Sequence, residues 1–294
     1  MGQLGPMVRL SRRIMGARSR ALGEAEARGL AEGVRRQRPG SGRDSYRYVF
    51  VVTYGRSGST LVQGLLNAMP RTLVRGENNL YLLHLFHALH AVRMFRREHW
   101  KHRPDRAISA FYGLDQIRRG PFVAATNDIV TTTVLGDLPP QEYDVLGFKE
   151  VLWHRIEPEE TAEFFEWLEQ CFPDVGYVLN TRDPQDCIGS GFWQEHTRDA
   201  ALARIGRVVE IQEFLRQTRA ERCFDIRFEE LTGAAAPELD TLLGSLAAFV
   251  TGRPATRELV AQLRSVLNVG HGPYPFGETR GQKRKIRVDS EGPG

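Results

Sequence analysis

Lysine is scarce in this chain. Only Lys101, Lys149, Lys283 and Lys285 occur, so arginine supplies most of the 40 basic residues, a skew that a GC-rich genome produces without chemical demand. The formal net charge is +4, too small to mark a dedicated nucleic-acid binder, so no specific nucleic-acid partner is expected. Cysteine is scarce too. Cys171, Cys187 and Cys223 are odd in number, widely spaced and contain no CxxC pair. That argues against a disulfide framework or a zinc site and fits reduced thiols in a cytosolic protein. No uncharged apolar run approaches the ~18–20 residues that cross a bilayer, and the N-terminal stretch lacks the apolar segment of a secretory signal. Together these absences make a cytoplasmic location the expectation.

The 294 residues, 41% of them hydrophobic, are enough for one large α/β domain with a substantial core. Residues 1–45 read as a basic arm, flexible or weakly helical. Met7, Leu10 and Ile14 could share one helical face, and the Pro39-Gly40-Ser41-Gly42 linker follows. Residues 46–270 read as the folded domain, and 271–294 as a basic, glycine-rich tail. Either tail could touch an anionic membrane surface. Within the domain, Tyr48–Thr53 is a short continuous apolar run, the pattern of a parallel strand buried on both faces. Further strands are expected at Asp144–Phe148, Gly176–Thr181 and Cys223–Phe228. Helical spacing appears at Leu61–Met69, Leu80–Arg97, Pro158–Cys171, Pro184–Thr197, Ala200–Arg219 and Glu238–Val250. Strands alternating with helices predict an α/β fold, a central mostly parallel sheet flanked by helices.

The segment Thr53-Tyr54-Gly55-Arg56-Ser57-Gly58-Ser59-Thr60 lies between the first strand and a helix start. Successive backbone N–H groups and the positive end of a helix converge there, a site suited to an anion. Gly55 and Gly58 let the backbone approach phosphate closely. Ser59 and Thr60 add hydroxyls, and Arg56 offers a planar, permanently charged fork. The lysine of a Walker A loop is missing, because Gly58 is followed directly by Ser59-Thr60.

This loop resembles the 5′-phosphosulfate loop of the sulfotransferase family, T-Y-[PG]-[KR]-S-G-[ST]-[ST], at every position. Its arginine form is similar to the carbohydrate sulfotransferases and their bacterial relatives. The resemblance implies a P-loop-like three-layer fold and 3′-phosphoadenosine-5′-phosphosulfate as the sulfuryl donor, held at its 5′ end by Gly55, Arg56, Ser57, Gly58, Ser59 and Thr60, with no metal required. The family's second motif holds the 3′-phosphate with an arginine after a strand and a serine eight residues on. Here it corresponds to Arg182 and Ser190, whereas an independent reading of Arg182 pairs it with Asp183 or Asp186. A third element, Arg227-Phe228-Glu229-Glu230-Leu231, looks like the family's R-[YF]-E-[DE]-L and carries no assigned chemistry. The tryptophan that stacks on adenine in the small-molecule branch is replaced by Leu61, which leaves Trp193 or Phe192 as substitutes or as plain core.

Sulfuryl transfer needs a base, positive charge on the sulfuryl and bridging oxygens, and in-line alignment. Resemblance to the carbohydrate branch places the base at Glu77, 21 residues after Arg56 with Pro70 between them. A glutamate serves better as a base when burial raises its proton affinity; the alternative is that Glu77 only stabilises the start of the next helix. Lys149, at the end of a strand, is expected either to reach the sulfuryl group or to pair with Glu150 or Asp144. His154 is a second candidate base. His84, His87 and His90 recur every third residue, which suits a packed or pocket-lining face better than a metal site. The resulting reading is transfer to a hydroxyl acceptor, of a sugar or glycolipid. Its rivals are a nucleotide-dependent kinase with a degenerate loop and a non-enzymatic adaptor on a nucleotide fold.

Overall fold

The computed structural model describes residues 46–189, 193 and 195–267. The expected basic arm and tail, Phe192 and the candidate anchor Ser190 lie outside the described residues. Five parallel strands form one sheet in the order β2-β3-β1-β4-β5. They are β1 (Arg47–Val52), β2 (Thr72–Arg75), β3 (Val145–Glu150), β4 (Val175–Thr181) and β5 (Cys223–Arg227). The expected α/β, P-loop-like architecture is therefore present.

The apolar run of β1 sits at the centre because both of its faces need covering. Tyr48, Phe50 and Val52 point into one core and Val49 and Val51 into the other, as the two-residue strand period requires. The first core is aromatic: Phe50 lies 4.6 Å from Phe148 and Tyr48 lies 4.5 Å from Phe172, ring to ring. Helices α2 (Tyr81–His99), α3 (Arg119–Leu135), α4 (Thr161–Cys171) and α6 (Arg198–Thr218) supply the rest of it. The second core is aliphatic and is closed by α1 (Ser59–Asn67), α8 (Ala236–Thr251) and α9 (Arg257–Leu267).

Two departures from the sequence expectation have identifiable causes. Helix α3 was not foreseen, because Thr131-Thr132-Thr133 and Gly120-Pro121 are poor helix formers. Its hydroxyls fold back instead, Thr131 Oγ1 donating to Asn127 O at 2.7 Å and Thr133 Oγ1 to Ile129 O at 2.8 Å. The four residues of β2 are too few to show a period. Of the helix expected over 184–197, the described residues show α5 (Pro184–Ile188), with Gly189 as its C-cap. The remaining short helix, α7 (Phe228–Gly233), opens directly from β5.

All parallel strands put their carboxyl ends on one side, and the chemically interesting residues collect there. The loop 53–58 leaves β1, Glu77 follows β2, Lys149 and Glu150 end β3, Arg182 follows β4, and Phe228 and Glu229 follow β5. This is the edge where open α/β sheets bind ligands.

Candidate active site

The loop after β1 is fastened from below. Thr53 and Ser57 are fully buried, and their hydroxyls lie 2.6 Å apart. Asn180 of β4, also fully buried, accepts from Ser57 Oγ at 3.0 Å through Oδ1, and Thr53 Oγ1 lies 3.0 Å from the Asn180 carbonyl. Gln212 Nε2 donates to Val52 O at 2.8 Å, closing the network from α6. The Ser57 hydroxyl is thus committed to Asn180. The backbone does the presenting. Arg56 adopts φ 69° and Gly58 φ 80°, so the chain reverses in the left-handed region and enters α1 with no side chain capping it. Among the described residues, the N–H groups of Gly58, Ser59 and Thr60 find no acceptor, the usual state of an uncapped helix start. Arg56 is exposed beside them.

Gly58 is required for a second reason. A Cβ at that position would meet Phe228 Cδ2 at 2.1 Å, so the ring is packed onto the loop backbone. The same ring lies under the Arg182 guanidinium, 4.5 Å from centroid to carbon. In the Arg227–Leu231 element, then, Phe228 is a shelf shared by loop and arginine. Glu229 Oε1 accepts from Asp183 N at 2.9 Å, and Glu230 caps its own helix by accepting from Arg227 N at 3.2 Å.

Arg182 is drawn towards the loop. Its Nη1 donates to Arg56 O at 3.4 Å, its Nη2 is 3.8 Å from Asp186, and its buried Nε has no partner among the described residues. Tyr54 holds its backbone from both sides: the phenol accepts from Arg182 N at 2.9 Å and donates to Arg182 O at 2.5 Å. Burial pushes that phenol up to about 12, so it stays a donor. Trp193 Nε1 donates to Gly55 O at 3.1 Å from a buried position. Trp193 is therefore a strut under the loop, not an open face for a base to stack on. Cys187 Sγ reaches Arg56 O at 3.5 Å, and burial raises its thiol to about 11, which keeps it protonated.

On the other side of the strand order, Lys149 Nζ donates to Glu77 Oε1 at 2.5 Å. Neither pairing expected for Lys149 forms: Asp144 is held by Arg71 at 2.6 and 2.8 Å, and Glu150 has another task. Lys149 is buried, but the Glu77 side chain is 47% exposed. The enclosure expected around Glu77 is absent, and what the structure supplies instead is a fixed cation partner.

Glu150 was invisible as a site residue in the sequence. It is completely buried and accepts four backbone N–H groups. Oε2 takes Asn78 N at 3.0 Å and Leu80 N at 2.7 Å, while Oε1 takes Val151 N at 2.7 Å and Leu152 N at 3.1 Å. Asn79 and Leu80 stand at φ 62° and 50°, a turn that this carboxylate holds in place. Glu77 is the residue that this turn carries. His154 sits nearby on a 3₁₀ turn (Trp153–Arg155); burial first, and then the charge of Arg204, lower its proton affinity below that of an ordinary imidazole.

The spaced histidines of α2 prove to be a packing device. His87 Nε2 lies 2.9 Å from Glu160 and His90 Nδ1 lies 3.7 Å from Glu163, so they fasten α2 to the start of α4. Among the described residues no group of three His, Cys, Asp or Glu side chains could hold a metal ion. None of the described helices is long and apolar enough to cross a membrane.

Comparison with known proteins follows the same boundaries. The model of the family described as "Sulfotransferase family" matches residues 48–247, from β1 into α8. No curated protein matches the chain significantly.

Proposed function

The chain belongs to the sulfotransferase family, and from that premise we propose that it moves a sulfuryl group from 3′-phosphoadenosine-5′-phosphosulfate to an acceptor hydroxyl on a sugar or glycolipid. One observation carries the reading: an uncapped helix start and an under-used arginine, Arg182, are pulled together over Phe228. Free N–H groups at 58–60 suit the oxyanion end of the donor, and the orphaned Nε of Arg182 suits a second phosphate. When bound, the donor supplies an activated sulfuryl group on a phosphate leaving group.

The residues of the chain then divide the work. Arg56, exposed at the loop tip, and the N–H groups of Gly58, Ser59 and Thr60 stabilise developing negative charge. Lys149 orients the Glu77 carboxylate through Oε1 and leaves Oε2 open to accept the proton of an acceptor hydroxyl. Lys149 also takes a second role as the reaction proceeds. Its ammonium can follow the oxygen on which charge grows.

Calorimetry tests the donor. The full chain should prefer 3′-phosphoadenosine-5′-phosphate over ADP and over magnesium-ATP, and Arg182→Ala should bind it about 10- to 100-fold more weakly, the worth of charge-assisted hydrogen bonds. Equal or tighter binding of magnesium-ATP would hand the site to the kinase reading. No nucleotide binding at all would favour an adaptor.

A further inference from the structure

Among the described residues, six of the eight large hydrophobic side chains that stand exposed come from one stretch: Met94, Phe95, Trp100, Ile108, Tyr112 and Ile117. Exposed apolar residues are ordinarily scattered singly over a surface, and a concentration of this kind marks an interaction site. Ile108 is 94% exposed and Trp100 54%.

The chemistry of the surroundings says what the partner is. Residues 93–119 hold eight arginines and lysines against three acids, a net of +5 in a chain whose total is +4. Arg97, Lys101, Arg106 and Arg118 form no ion pair among the described residues. The stretch is also internally tied, so that it presents a shaped surface. The His99 ring stacks on Phe111 at 4.4 Å and 12°, Gly113 N donates to Pro104 O at 2.9 Å, and Arg96 both covers the Trp100 ring at 4.9 Å and donates to Ile117 O at 3.1 Å. Tryptophan and tyrosine with exposed aliphatics, interspersed with unpaired cations, are what an anionic lipid interface takes. A second copy of the chain would bring two positive surfaces together.

We propose that residues 93–119 form a docking surface for an anionic bilayer, Trp100, Ile108 and Tyr112 entering the headgroup zone while Arg97, Lys101, Arg106 and Arg118 meet lipid phosphates. The surface is separate from the candidate active site: α2 rises about 18 Å from Tyr81, beside the Glu77 turn, to Arg93, where this stretch begins, and about 27 Å to its end at His99. The inference therefore does not depend on the reaction.

The chain carries its own probe. Trp153, Trp167 and Trp193 are buried, so the exposed indole is Trp100. Full-length protein is mixed with vesicles of phosphatidylcholine alone or with phosphatidylglycerol, and sedimentation and quenching of tryptophan emission by brominated lipid are read together. Binding to the anionic vesicles with quenching is expected. Arg97→Gln/Lys101→Gln should weaken it about 25-fold, at about fivefold per charge, and Trp100→Phe should remove the quenching. Ile108→Ala should weaken binding while leaving nucleotide binding unchanged. Failure of the wild type to bind overturns the proposal. So does binding without quenching, or binding unaltered in the Arg97/Lys101 variant, either of which would assign the membrane to the basic ends of the chain. A dimer in solution that Ile108→Ala dissolves would assign the face to a second copy.

Discussion

The two sides of the candidate site are held in different ways. From β1 to β5, the loop 53–58 and Arg182 rest on a buried hydroxyl and amide network, the Tyr54 phenol and the Phe228 ring, with support from three strands and α6. From β2 to β3, the Glu77 turn rests on one carboxylate, Glu150, and two cations, Lys149 on Glu77 and Arg155 on Asn79 Oδ1 at 2.7 Å. The proposed donor side is over-determined and the proposed acceptor side hangs on few contacts. A rigid cradle would serve one unchanging donor, whereas a turn held by three side chains can be re-shaped for different acceptors without disturbing it. The contrast makes changes near β2 and β3 a matter of turnover and local order, and changes near β1 a matter of nucleotide affinity.

The largest effect is expected for Glu77→Gln. Turnover should fall about 10²- to 10⁴-fold, the range for losing a general base, with nucleotide affinity unchanged by calorimetry. Undiminished turnover would remove Glu77 from the mechanism. Glu150→Ala comes next, because it strands four N–H groups at once, two of them buried and two partly buried. Stability should drop by about 3 kcal/mol or more in urea unfolding, at about 1–3 kcal/mol for each unsatisfied group, and Glu150→Gln should recover part of it. If Glu150→Ala unfolds like the wild type, the two sides are equally braced and the contrast fails.

A smaller loss, about 1–3 kcal/mol for overpacking, is expected of Gly58→Ala, with weaker nucleotide binding and an unaltered acceptor KM. Replacing Phe228 by leucine in the same chain should restore part of the affinity, since the clash is with the ring, although the left-handed φ of 80° remains unfavourable for alanine. An acceptor KM that moves instead would mean the loop is not confined to the donor side. The smallest effect is a pH dependence. His154 binds its proton less readily in the folded chain than at the ordinary value of 6.5, so the unfolded chain takes up more protons. Its contribution to stability is present above pH ~6.5 and lost as the pH falls below that value. Thermal midpoints measured across this window should decline less in His154→Gln; an identical decline would assign the titration elsewhere.

How much of this could be read from residues alone differs between the two sides in the same manner. The loop 53–60 was legible because its job is done by consecutive residues: a buried strand, two glycines and a helix start leave a mark in any chain that folds this way. Arg182 was legible from its place after a strand, but its position against Arg56 and Phe228 was not. Trp193 was readable as an aromatic near the site, though not as a donor to Gly55. The Lys149–Glu77 pair joins residues 72 apart, and the bond from Asn78 to Glu150 does the same. Nothing in either local string says that β2 will lie beside β3. Likewise His84, His87 and His90 could be read as a packed face, but the pairing of His87 with Glu160 and of His90 with Glu163 could not.

By itself the sequence determined the alternation of strands and helices, the buried central strand and the glycine-bearing loop that leads into a helix start, because backbone geometry imposes periods of two and of about 3.6 residues on any core-forming segment. Only the tertiary structure decided which cation Glu77 meets, which carboxylate holds its turn and which apolar side chains remain outside. Those outcomes depend on the strand order β2-β3-β1-β4-β5, and strand order is set by packing between segments distant in the chain, which no local period records.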